Sequence, residues 1–82
     1  MKKHSLYYSN LCFFCQRVLF ELRDKEHSID LRATSSAEHH RDLVAGGGKG
    51  QVPCLRIEDG DHSTWMYESD DIVNYLKQQK II

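Results

Sequence analysis

Residues 6–22, Leu6-Tyr7-Tyr8-Ser9-Asn10-Leu11-Cys12-Phe13-Phe14-Cys15-Gln16-Arg17-Val18-Leu19-Phe20-Glu21-Leu22, decide the fold. Leu6-Tyr7-Tyr8 is a short β-prone run, and Ser9-Asn10 has turn chemistry. From Cys12 onward the spacing changes: Phe14, Val18, Leu19 and Leu22 recur at three- and four-residue intervals, which predicts a helix to about Lys25. A strand thus feeds directly into a helix, and a Cys-x-x-Cys pair lies at the junction.

Working outward, His27-Ser28-Ile29-Asp30-Leu31 alternates apolar and polar residues as a half-buried strand does. Ser35 with Glu38 three positions on fits a capping box. A second helix is therefore expected to start there, run to Ala45 and stop at Gly46-Gly47-Gly48. Val52-Pro53-Cys54-Leu55-Arg56-Ile57 reads as a strand entered through proline, Glu58-Asp59-Gly60-Asp61 as a hairpin turn, and Thr64-Trp65-Met66-Tyr67 as the returning strand. Ser69 is placed as the cap of a last helix, with Asp70 and Asp71 in the first turn where the dipole favours anions; Ile72, Val73 and Leu76 form its buried stripe. The order β-α-β-α-β-β-α implies a parallel first strand pair, an antiparallel final hairpin, and an α/β fold with a mixed four-stranded sheet and helices on both faces.

The 82 residues are read as a single domain, 1–82. A net charge of −1, with basic residues scattered from Lys2 to Lys80, offers no patch for nucleic acid. No run approaches the roughly 20 apolar residues that span a bilayer, and Met1-Lys2-Lys3-His4 leads into no apolar signal segment. The expectation is a soluble cytoplasmic chain, monomeric, with no nucleic-acid or membrane partner. Three cysteines, with only two closely spaced, do not make a secreted disulfide scaffold.

The position of the pair gives its members different chemistry. Unpaired amides at a helix N-terminus, together with the positive end of the dipole, stabilise a thiolate. Cys12 sits there and is assigned as nucleophile. Cys15, one turn further in and more buried, is assigned as the resolving thiol. A stabilised thiolate attacks only a few-fold faster, because nucleophilicity falls with basicity, but it also leaves readily when a second thiol displaces it. The competing readings are an inert buried pair or half of a zinc site. Zinc needs two more ligands, and the adjacent His39-His40 cannot supply them from one helix face, so no metal is expected. Cys54 is read as a small buried hydrophobe.

Three motifs in order, Cys12-Phe13-Phe14-Cys15, Gln51-Val52-Pro53 and Glu68-Ser69-Asp70-Asp71-Ile72-Val73-Asn74-Tyr75-Leu76, resemble the glutaredoxins. The resemblance is greatest to those whose redox domain is similar to the N-terminal domain of glutathione transferases, and it spans essentially the whole chain. It implies a thioredoxin-like fold and a disulfide oxidoreductase with glutathione as reductant, acting on protein disulfides or glutathionylated proteins. It implies a cis Pro53 facing Cys12, with the Val52 backbone pairing with the cysteinyl part of glutathione, Gln51 beside it, and Phe14 as an apolar wall. It also implies that Glu68, Ser69 and Asp70 hold the γ-glutamyl end at the helix mouth. The sequence departs from the pattern in two places. Phe13 stands where proline is usual after the first cysteine, and Ser9 stands where many members carry a lysine, leaving Lys49 or Arg17 to meet the glycyl carboxylate. Two other functions share these residues: a glutathione transferase-like domain, and a glutathione-ligated iron–sulfur cluster bridged between two copies.

Overall fold

The computed structural model describes residues 2–82. Seven elements follow in chain order: β1 (Lys2–Tyr8), α1 (Phe13–Leu22), β2 (Asp30–Ala33), α2 (Ala37–Gly47), β3 (Cys54–Asp59), β4 (His62–Met66) and α3 (Ser69–Gln78). They build one four-stranded sheet in the order β2-β1-β3-β4. β1 pairs in parallel with β2 from Ser5↔Asp30 to Tyr8↔Ala33, and antiparallel with β3 from Lys2↔Asp59 to Tyr7↔Cys54; β3 and β4 form the hairpin. This is the mixed sheet and the element order that the periodicity implies, and it is a thioredoxin-like fold.

Side chains alternate across a strand, so β1 divides its residues between two faces. On one face Leu6, Leu55 and Ile57 meet Val18 and Leu22 of α1 and Ile72, Val73 and Leu76 of α3 in an aliphatic core. On the other, Tyr7 and Cys54 pack with Leu43 of α2 in a smaller cluster edged by Val52, Trp65 and Tyr67.

Several boundaries differ from expectation. α1 ends at Leu22 rather than near Lys25, because Arg23 leaves helical geometry and Asp24 takes a positive φ of 63°. The second strand forms at Asp30–Ala33, four residues that match the ladder of β1. Ile29 still reaches the core from the approach to it. The capping box at Ser35 does not form: Ser36 is the N-cap of α2, with no side-chain hydrogen bond. The glycines do not stop α2, which continues through Gly46 and Gly47 and closes at Gly48 with φ 92°. A Cβ at Gly46 would overlap the Trp65 ring and one at Gly47 the Tyr67 hydroxyl, so tertiary packing holds a helix that propensity alone disfavours. β3 begins at Cys54, just beyond a cis Val52–Pro53 peptide, and the hairpin turns in two residues, Gly60 and Asp61. Glu68, not Ser69, is the N-cap of α3, again without a side-chain cap.

Candidate active site

Cys12 is the N-cap of α1, with extended backbone (φ −96°, ψ 120°). Its amide donates to the Ser9 carbonyl at 3.2 Å and its carbonyl accepts from Gln16 N–H at 3.1 Å, which ties the cap to the turn before it and the helix after it. Its Sγ accepts the Cys15 N–H at 3.2 Å and lies 3.7 Å from the Val52 carbonyl oxygen. A sulfur at an N-cap thus takes the place that a serine or aspartate oxygen usually fills, receiving one of the amides the helix leaves unpaired.

Cys15, one turn in, is fully buried and receives the Ser9 N–H at 3.4 Å. Burial, then its contact with Cys12, pushes its thiol up to about 12, so near neutral pH it keeps its proton. Cys54 is also buried, and burial pushes it up to about 11. It belongs to the small cluster behind Pro53.

A groove of about 420 Å³ opens beside Cys12. All the residues singled out as ligand-binding candidates line it: Phe14, Gln51, Val52, Pro53, Glu68, Ser69 and Asp70. Three elements converge here, the start of α1, the loop before β3 and the start of α3. The Val52 carbonyl facing Cys12 connects the first two.

Three further residues line the groove: Phe13 and Tyr67, which the sequence motifs do not mark as binders, and Arg17, one of the two cations offered for the glycyl carboxylate. Tyr67 could have been found from its place beside Glu68, at the end of the β4 run. It donates its hydroxyl to the Lys49 carbonyl at 3.0 Å, and Lys49 Nζ sits 4.7 Å above its ring. Lys49 therefore lies behind Tyr67 and does not line the groove, whereas Arg17 does, ion-paired with Asp70 across its mouth. Ser9, at the position of the usual lysine, is engaged with both cysteines through its backbone.

The wall formed by α3 carries Glu68 and Asp70 beside the helix's first amides, and α1 contributes the Arg17 guanidinium. Such a wall suits a ligand that bears both an ammonium and a carboxylate. The family described as glutathione S-transferase, N-terminal domain, matches residues 6–80, which include both cysteines, Pro53 and the α3 mouth. The chain belongs to that family. A search of curated proteins returned no match. The family's N-terminal domain is thioredoxin-like and glutathione-related, in agreement with the sheet order and the position of the groove.

Proposed function

We propose that this member of the glutathione S-transferase N-terminal domain family is a glutaredoxin-type oxidoreductase, which uses glutathione to reduce protein disulfides or glutathione mixed disulfides. The observation that carries the reading is the contrast between two sulfurs one helical turn apart. Cys12, half-buried at the groove, accepts a backbone N–H, while Cys15 is buried and held as a thiol.

The Cys12 thiolate attacks a sulfur of the substrate disulfide. A Cys12–substrate disulfide forms, the original S–S bond breaks, and the leaving thiolate takes a proton from water. Resolution follows one of two routes. In the first, Cys15 gives up its proton and attacks Cys12 Sγ, which releases the second substrate thiol and leaves a Cys12–Cys15 disulfide. Two molecules of glutathione then reduce that bridge and leave as glutathione disulfide. In the second, the adduct is glutathione itself, and a further glutathione thiolate displaces it directly. The burial of Cys15 makes the second route the easier one for mixed disulfides, because it spares deprotonating a thiol held near 12.

In this reading the Val52 backbone pairs with the cysteinyl part of glutathione, as an added strand would. Phe14, Gln51 and Pro53 form the floor, and Glu68, Ser69 and Asp70 meet the γ-glutamyl end. Arg17 is placed to meet a ligand carboxylate once its ion pair with Asp70 opens. A monomer in the reducing cytoplasm suits such an enzyme.

Family membership also favours a second reading, in which the groove activates glutathione for attack on an electrophile. One experiment separates them: turnover of a small mixed disulfide with glutathione and glutathione reductase, beside conjugation of glutathione to 1-chloro-2,4-dinitrobenzene. Cys12→Ser should abolish disulfide turnover, and Cys15→Ser should keep deglutathionylation while losing reduction of dithiol substrates. Conjugation without disulfide turnover would establish the transferase instead.

A further inference from the structure

A second cavity, of about 440 Å³, lies at the Lys2 end of β1, whereas Cys12 follows the Tyr8 end. The length of that strand, about 20 Å, separates it from the groove, and the two have no lining residue in common. Side chains two apart on a strand share a face. Those of Lys2, Ile57, Asp59, His62, Thr64 and Met66 are on the face that carries α1 and α3, and Tyr75 closes the α3 side. The cavity is graded along the strands. Lys2, Asp59 and His62 are successive partners across β1, β3 and β4, so they form a polar row at its outer end. Two residues inward, about 7 Å, stand Ile57 and Thr64, and beyond them Met66.

The charges of the outer row are open to a ligand. Lys2 and Asp59 stand directly opposite each other, yet neither has an ion-pair partner among the described residues. On the other face of the same hairpin Arg56 pairs with Glu58 at 3.4 Å and donates to the Ser63 hydroxyl. The hairpin thus satisfies its charges on one face and turns one of each sign into the cavity on the other. Burial, and then the Asp59 charge, push the Tyr75 hydroxyl above its ordinary pKa, so the carboxylate acts on the cavity's inner wall as well.

We propose that this cavity binds a free α-amino acid with a large apolar side chain. Such a molecule carries its ammonium and carboxylate on one carbon, and direct cross-strand neighbours hold their Cβ atoms about 5 Å apart. Asp59 receives the ammonium and Lys2 meets the carboxylate of the same head group, with the His62 ring on the far side of Asp59. A ligand of one sign would leave one of the two charges unmet. A peptide would set its terminal charges at least one residue, about 3.5 Å, further apart. The side chain runs inward over Ile57 towards Met66 and lies against the Tyr75 ring, a path that leucine, methionine or phenylalanine fills. The volume is that of a small-molecule site. The assignment does not rest on the redox reading, because binding here makes and breaks no covalent bond.

An amide NMR titration of the full chain at neutral pH tests this with three compounds: L-phenylalanine, hydrocinnamate, which lacks the ammonium, and phenethylamine, which lacks the carboxylate. Phenylalanine should shift the amides from Ile57 to Met66 with a Kd on the order of a few millimolar, and leave those of Phe14, Val52 and Ser69 in place. Each truncated compound should bind about fivefold more weakly, the effect of one exposed charge pair. Asp59→Asn should weaken phenylalanine by the same factor and hydrocinnamate not at all. Lys2→Gln should weaken phenylalanine likewise and phenethylamine not at all. Both side chains are exposed, so the variants should fold, with amide positions unchanged away from the substituted site. Equal binding of the three compounds, or variants without effect, would reduce the cavity to an apolar patch and overturn the proposal. Shifts at Ser69 and Asp70 in place of the hairpin would move the ligand to the groove and overturn it as well, as would the absence of any saturable shift.

Discussion

The two faces of the sheet are built on different plans. Beneath α1 and α3, aliphatic side chains from two strands, the approach to β2 and two helices interlock. Beneath α2 the fully buried hydrophobic residues are Tyr7, Leu43 and Cys54, and the space beside them is filled by the flat rings of Trp65 and Tyr67 laid against glycines. The first arrangement buries apolar surface from many directions and carries most of the stability. The second buries little, yet it sets where Val52 and Tyr67 stand, and these residues form one wall of the groove. One face holds the fold together and the other shapes the site, with Cys12 at the seam between them.

The sharpest way to break this contrast is to remove a leucine from each face. Leu6→Ala opens a cavity in the middle of the aliphatic face and should cost about 3–5 kcal/mol, most of the stability of a domain this small. Leu43→Ala should cost about 2 kcal/mol, because α2, which buries no other residue, can settle toward the sheet. Urea denaturation gives both values. Hydrogen exchange adds a qualitative difference: in Leu43→Ala the amides of α2 should exchange through a local opening while those of α1 stay protected. Equal costs, with uniform loss of protection, would show that the two faces melt as one unit.

Gly46 probes the second face more finely. A methyl group there would overlap Trp65, whose ring is already held between Tyr7 at 5.5 Å and the Arg56 guanidinium at 5.0 Å. Gly46→Ala gains about 1 kcal/mol in helix propensity yet should lose about 1–2 kcal/mol overall, because the ring has to move. Displacing Trp65 disturbs the end of β4 that leads to Tyr67, so KM for glutathione should rise more than stability alone accounts for. A stabilised Gly46→Ala variant would mean that the ring slides freely and that the glycine is not needed for packing.

The outcome at Gly46 also marks where sequence reasoning works and where it stops. Element order was legible because each element changes the apolar period: two in the strands, near four in the helices. Residues close to the sulfurs in the chain, or carried by the resemblance, were placed in one groove. The length of α2 was not legible, because glycines end a helix by default and only the distant rings of Trp65 and Tyr67 reverse that. Asp30–Ala33 forms the second strand because its backbone aligns with Ser5–Tyr8, a register that local alternation around Ile29 does not encode. The choice between Lys49 and Arg17 is open in the sequence for the same reason. Nothing near either residue in sequence reveals that a Tyr67 ring covers one and Asp70 pairs with the other.

The smallest expected effect lies at the far end of the aliphatic face and turns on a proton. His4 is buried there, and its Nε2 shares a hydrogen bond of 2.9 Å with the Tyr75 hydroxyl of α3. Burial, and then the nearby charge of Lys2, lower the His4 pKa below its ordinary value. A base whose pKa is lower in the folded state binds its proton more readily when unfolded. The folded state is therefore favoured above about pH 6.5, and this contribution is lost as acid protonates the unfolded chain first. The urea midpoint of the wild type should fall from pH 7.5 to pH 5. His4→Gln, which keeps a hydrogen-bonding group facing Tyr75 and cannot titrate, should show a smaller fall over the same range. Equal pH dependence in the two proteins would place the acid sensitivity elsewhere and leave the β1–α3 contact a matter of packing alone.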